Sequence, residues 1–91
     1  MKRETFFSRI EKGKANYYPY KKNGLIGMIS VWKRESIYRL IWEEFKEGDQ
    51  FNENAYTIDE NYKFKNPDEL CEFLEKNSLN IESFKPYPRY K

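Results

Sequence analysis

Two short stretches carry the residues best suited to chemistry of contact. One is Asn16 to Lys22, "NYYPYKK", and the other is the C-terminal "FKPYPRYK". Each interleaves phenolic rings with Lys or Arg around proline. Rings offer broad, stiff surface to nucleobases or to apolar protein groups, and the cations answer phosphates or carboxylates. Pro19 cannot donate to a sheet ladder, so its stretch belongs on an edge strand, an arm or a loop. Pro86 and Pro88 exclude a helix and a central strand from the tail. Tyr17, Tyr18, Tyr20, Lys21 and Lys22, with Tyr87, Arg89 and Tyr90, are therefore the candidate partner-binding residues. A competing structural account has the two segments lie against each other and close a sheet edge.

Catalytic chemistry finds little to work with. The chain has no histidine, hence no imidazole base. Its single cysteine, Cys71, falls on the apolar face of a predicted helix, where a thiol behaves as a small buried hydrophobe. Carboxylates adjoin at Glu43-Glu44, Asp59-Glu60 and Asp68-Glu69. Acid–base pairs must face each other across a cleft, which adjacency in sequence does not provide. "DQFNEN" at 49 to 54 places Phe51 and Asn54 where a calcium loop needs an oxygen ligand and a glycine. "GLIG" at 24 to 27 has the spacing of a backbone-clamping loop but no basic group. "NGLIGMISVW" sets Met28 and Ile29 where an RNA-binding strand needs aromatics. We expect no catalytic residue, no metal and no cofactor.

The elements that must position the tyrosines follow from periodicity. In "NPDELCEFLEKNSL", Asn66 can cap, Pro67 suits the first helical position, and Glu69 completes a capping box. Leu70, Cys71, Phe73 and Leu74 form one face, and Asn77 offers a left-handed stop, which predicts a helix over 67–76. "YTIDENYKF" alternates, with Tyr56, Ile58, Tyr62 and Phe64 on one face. Glu60 interrupts that face, so a turn at 59–61 is expected to divide it into two short strands. Asn23-Gly24 is a hairpin turn signal before a strand over 25–33. "SIYRLIWEEFKEG" fits helical spacing at Ile37, Leu40, Ile41 and Phe45. Its β-formers and the alternation of Tyr38, Leu40 and Trp42 favour a strand over 36–47. "RETFFSRIEKG" suits a short helix stopped by Gly13, with a strand as the alternative. The sum is an α+β fold: a small two-layer domain with an antiparallel sheet of three to five strands and the C-terminal helix on one face.

A chain of 91 residues makes one domain, 1–91, ending in an extended basic and aromatic tail over 81–91. Aromatic residues make up 19% against 38% hydrophobic in all, so the core must rest on a few large rings. One thiol allows no internal disulfide. The longest apolar run, "LIGMISVW", is far short of the roughly 20 residues a membrane helix needs, and the N-terminus lacks a signal-like apolar region. A cytoplasmic protein with no membrane partner is expected. Charge is unevenly spread. Residues 1–34 carry nine Lys/Arg and two Glu, while residues 35–80 carry five Lys/Arg and twelve Asp/Glu. Such separation suits either an acidic partner or two halves that neutralise each other.

These features together predict a non-enzymatic binding protein. Its size and AT-rich residue usage suit a phage or mobile-element accessory protein, inhibiting or modulating a nucleic-acid-processing or defence complex. It would act through the basic, tyrosine-rich edge, on a protein partner before a nucleic acid. Single-stranded DNA or RNA binding is the alternative. A small carboxylate-based enzyme or enzyme subunit is the third class.

Overall fold

The computed structural model describes residues 1–48 and 56–88. In chain order it contains helix α1 (Arg3–Glu11), strands β1 (Asn16–Lys22), β2 (Leu25–Arg34), β3 (Ile37–Lys46) and β4 (Tyr56–Phe64), and helix α2 (Pro67–Lys76). A 3-10 turn (Ile81–Ser83) and the short strand β5 (Lys85–Pro86) follow. The strands form one antiparallel sheet in the order β4-β3-β2-β1-β5. No described helix is long and apolar enough to cross a membrane.

Local chemistry accounts for the connections. Asn23 and Gly24 both take positive φ, 52° and 79°, as a two-residue hairpin loop requires. Glu35 and Ser36 do the same at 54° and 66°, although neither residue type favours that region. The segment 36–47 is thus a strand, as its alternation indicates. α2 starts as its sequence predicts: the Asn66 side chain accepts from the Glu69 backbone N–H at 2.9 Å. The Glu69 carboxylate reaches back one residue further than a standard capping box, accepting from the Lys65 N–H. Its C-terminus differs from expectation. Asn77 has φ −101°, and the left-handed residue is Ser78, at φ 57°. Leu79 N–H then closes onto Leu74 O at 2.8 Å.

The expected break within 56–64 does not occur. β4 runs unbroken from Tyr56 to Phe64, because it is the sheet's outer strand and Asp59, Glu60 and Asn61 remain exposed without turning. The one irregularity is a register shift against Glu44/Phe45.

Both helices lie on the same side of the sheet. Phe6 and Ile10 of α1, Leu70 and Leu74 of α2, and Phe84 pack onto Ile29, Val31 and Leu40 in one buried cluster. Full burial of such side chains contributes about 1.5–3 kcal/mol each. Phe73 is only partly buried. Its ring contacts Tyr62 at 4.5 Å and Phe64 at 5.3 Å, along the outer margin of the core. The tail is anchored by Phe84, 2% exposed, before Lys85–Pro86 pairs with Asn16–Tyr17.

Asn16 is the buried polar side chain of this core, at 0% exposure. Its Oδ1 accepts from Arg9 Nε at 2.8 Å, and its Nδ2 donates to Phe6 O at 3.0 Å. Asn16→Ala leaves the Phe6 carbonyl and the Arg9 guanidinium short of a partner, so it is expected to cost about 1–3 kcal/mol. A denaturant titration of both proteins measures this, and an unchanged midpoint would refute the role given to the amide.

Candidate functional site

The alternation of β1 divides the candidate tyrosines between the two sheet faces. Asn16, Tyr18, Tyr20 and Lys22 point to the helix side; Tyr17, Pro19 and Lys21 point to the other. Tyr17 meets Tyr87 edge-on, 5.2 Å between centroids, beside the β1–β5 pairing. Lys21 pairs with Glu47 at 3.0 Å. Arg89 and Tyr90 lie outside the described residues, as does the "DQFNEN" stretch. The six expected residues that are described therefore divide between two faces.

On the helix side, Tyr18 and Tyr20 stack at 5.8 Å, and Tyr18 leans on Phe84. Tyr20 can lie flat here because its neighbour on β2 is Gly27. A Cβ at position 27 would stand 2.0 Å from the Tyr20 ring. The Tyr20 hydroxyl donates to Glu44 Oε1 at 2.7 Å and accepts from Trp42 Nε1 at 3.0 Å. Thr57 Oγ1 donates to Glu44 Oε2 at 2.6 Å. Tyr18, Tyr20, Trp42 and Glu44, with Lys22 and Leu79 among others, line a cleft of about 400 Å³. Burial, and then the hydrogen bond to Glu44, pushes the Tyr20 phenol up to about 12. Hydroxyl donors from Thr57 and Tyr20, with nearby Lys22, hold the Glu44 carboxyl below its usual value. Near neutral pH the phenol is thus neutral and the carboxylate ionised, each satisfied by the other. The network fixes the sheet's end and leaves neither group poised to exchange a proton.

A second cavity, of about 630 Å³, lies between the N-terminus of α1, α2 and the 3-10 turn. Cys71 borders it and is 9% exposed, close to the buried hydrophobe expected. No cluster of His, Cys, Asp or Glu suited to a metal occurs among the described residues.

The opposite face of the sheet has no helix on it among the described residues. Its rows follow from the register. Trp32 stands beside Arg39, and Arg39 beside Lys63; Lys85, Tyr17, Ser30, Ile41 and Asn61 form the next row. Pro19, Met28, Glu43 and Asp59 come after, then Lys21, Ile26, Phe45 and Tyr56. Phe45 and Tyr56 touch at 5.2 Å. Met28, Trp32, Ile41 and Phe45 are each half-buried, and none of them packs against the helix-side core. Arg39 Nε is buried with no hydrogen-bond partner among the described groups. Lys21, Lys33 and Arg34 are ion-paired, whereas no described carboxylate pairs with Arg39, Lys63 or Lys85.

Sequence reasoning found Tyr17, Lys21 and Tyr87 of this face and missed Trp32, Arg39, Lys63 and Lys85. A usable signal was present. β2 and β3 carry apolar residues at both parities, "LIGMISVW" and "IYRLIW", which a sheet with one solvated face does not require. No protein-family model, curated protein or solved structure matches the chain.

Two measurements check the cleft. Gly27→Ala must displace the Tyr20 ring and should cost about 1–3 kcal/mol. Combined with Tyr20→Ala it should show strong non-additivity, whereas simple additivity would mean that the two residues do not meet. The second concerns pH. A phenol raised from 10.0 to about 12 by folding adds stability in full below pH 10 and loses it as pH climbs through 12. Phenolate absorbance should show a last tyrosine titrating near pH 12, behind the smaller delays of Tyr38 and Tyr62, and Tyr20→Phe should remove that last step.

Proposed function

We propose that this chain is a small accessory protein that docks on a protein partner through its uncovered sheet face and the adjoining Tyr17–Tyr87 edge. One observation carries this reading. A half-buried patch of Met28, Trp32, Ile41 and Phe45 occupies the middle of a face that neither helix covers, with charged side chains at its margin. Protein interfaces are built in this way, with Trp, Tyr, Met and Arg at the centre and polar groups around it. The flat aliphatic surface of Met28 and Ile41 suits protein side chains better than stacked bases.

Charge narrows the partner. Lys85 beside Tyr17, and Arg39 and Lys63 in the row of Trp32, have no carboxylate partner among the described residues, so the matching surface should carry carboxylates at those two places. A carboxylate in a bidentate bond to the outer nitrogens of Arg39 would give that guanidinium an ionic partner. The protein's size and residue usage suit a phage or mobile-element modulator of a nucleic-acid-processing or defence complex.

One observation favours a second reading. Tyr17 and Tyr87 adjoin Lys85 at one edge of this face and Trp32 adjoins Arg39, with Lys63 beyond it towards the other edge; rings and cations alternate across the sheet as on a single-strand binding platform. The two readings separate in one experiment. Wild type and a Trp32→Ala/Ile41→Ala variant are used to capture partners from host extract, with and without nuclease, and the captured species is titrated against each at rising salt. Protein docking predicts a nuclease-resistant partner, at least tenfold weaker binding by the variant, about 1.4 kcal/mol, and a shallow salt dependence. Strand binding predicts loss with nuclease and a steep salt slope. If the folded variant binds any captured partner as wild type does, this face is not the docking surface.

A further inference from the structure

β4 is the sheet's outer strand on the side away from β5, and no described residue pairs with its outer edge. Unpaired edges template further strands, and proteins protect them with charge. The charges on β4 have an order that goes beyond protection. Around Asn61 the strand reads Ile58, Asp59, Glu60, Asn61, Tyr62, Lys63, Phe64. Asp59 and Lys63 stand at equal distance on either side of Asn61, with opposite sign. Glu60 and Tyr62 flank it, the Tyr62 hydroxyl donating to Glu60 within the chain, and Ile58 and Phe64 form apolar ends. The strand is self-complementary.

We infer that β4 pairs antiparallel with β4 of a second copy of this chain, about a two-fold axis through Asn61. Asn61 then faces its own copy, Asp59 faces Lys63 of the second chain, and Lys63 faces Asp59. Glu60 faces Tyr62, and Ile58 faces Phe64. Directly opposed residues of an antiparallel pair point to the same face, so both charge pairs close on the uncovered side and both apolar pairs on the helix side. A two-fold contact repeats each interaction, as isologous interfaces do. Other centres fail. Centring on Glu60 or Lys63 sets that charge against itself, and centring on Tyr62 sets Lys63 against Asn61 and Glu60 against Phe64.

The surroundings within one chain point the same way. Asp59 lies opposite Glu43 on β3, and Lys63 lies opposite Arg39. Each charge has a neighbour of its own sign on the inner side, an unfavourable cross-strand arrangement. On the outer side, a second copy supplies the opposite sign to both. The seven residues from Ile58 to Phe64 are regular strand, beyond the register shift at Glu44/Phe45. The pairing would join the two sheets, and their uncovered faces, into one continuous surface.

Charge reversal tests this without touching the core, since Asp59 and Lys63 are exposed. Sedimentation of wild type should show a dimer with Kd below about 1 mM. Asp59→Lys and Lys63→Asp should each weaken it at least tenfold, because each change turns both symmetry-related pairs into repulsions. The double variant Asp59→Lys/Lys63→Asp should recover the dimer. Mixing the two single variants should give a heterodimer, in which both pairs are again opposite in sign. Circular dichroism of each variant verifies folding, and Lys63→Gln with Asp59→Asn serves as a neutral pair should a reversal misfold; it should dimerise more weakly than wild type. A wild type that remains monomeric to that concentration would overturn the inference. So would a dimer indifferent to both reversals, or failure of the folded double variant and of the mixture to recover.

Discussion

The amide of Asn16 sets the phase on which the rest of the molecule depends. A buried amide must find partners or cost stability, and here both ends are met by α1, at Arg9 Nε and Phe6 O. Arg9 also donates to Ala15 O, so the turn between α1 and β1 is held from two sides. Once Asn16 points inward, strand geometry leaves no freedom. Tyr18 and Tyr20 must point in, and Tyr17, Pro19 and Lys21 must point out. Asn16 also pairs with Val31 on one side and Pro86 on the other, so the same residue joins the tail to the sheet. The N-terminal amine adds to this closure by donating to Glu82 O and Phe84 O.

The second constraint is size. A chain of this length has two short helices to spend, and the core needs both on one face. Phe6, Ile10, Leu70, Leu74 and Phe84 fill the space above Ile29, Val31 and Leu40, and nothing among the described elements remains for the other side. Yet β2 and β3 place Met28, Trp32, Ile41 and Phe45 there. Strong β-formers on that side stabilise the strands by packing against cross-strand neighbours, which explains part of their presence. It does not explain why Arg39 should sit among them with a buried, unpartnered nitrogen. The charge separation along the chain has a simpler resolution. The basic first third and the acidic middle become adjacent strands, and Lys21–Glu47 and Lys33–Glu11 join them or the helix beside them. Such exposed pairs contribute little to stability. On the side without a helix, Arg39, Lys63 and Lys85 have no ion pair among the described residues.

Much of the fold was legible. α2 could be read from Asn66, Pro67 and the spacing of its apolar residues, since capping and periodicity are local signals. The Asn23-Gly24 hairpin was legible for the same reason. The strand at Ile37–Lys46 required a choice between two periods, and β-propensity decided it correctly. What failed depended on position in the sheet. Glu60 reads as a break only if β4 has a buried neighbour outside it; at an edge a charge is the ordinary occupant. Ser78 replaced Asn77 as the left-handed residue because the Asn77 side chain instead donates to Phe73 O and extends the last turn. The candidate site was half legible. Composition marked the tyrosines, but their sorting onto two faces depends on the phase of β1, and that is set by a side chain whose partners lie seven and ten residues away.

That sorting also explains why β1 is so rich in tyrosine. It lies next to the end of the sheet, where the helix layer thins and a cleft opens beside Tyr18, Tyr20 and Trp42. A small aliphatic residue there would leave the core open, and a fully apolar ring would expose its far edge to water. Tyrosine meets both conditions, because its body packs while its hydroxyl reaches Glu44 or solvent. On the outward side Tyr17 faces the same compromise with Tyr87, at a seam only two residue pairs long. Pro19 is tolerated between them because β5 ends before reaching it, so its missing N–H costs no ladder bond. The aromatic density of the stretch is therefore what a strand near the margin of a two-faced sheet demands. The part of it that structure alone does not require is the outward half, where Tyr17 stands beside Lys85 on a face that no described helix covers.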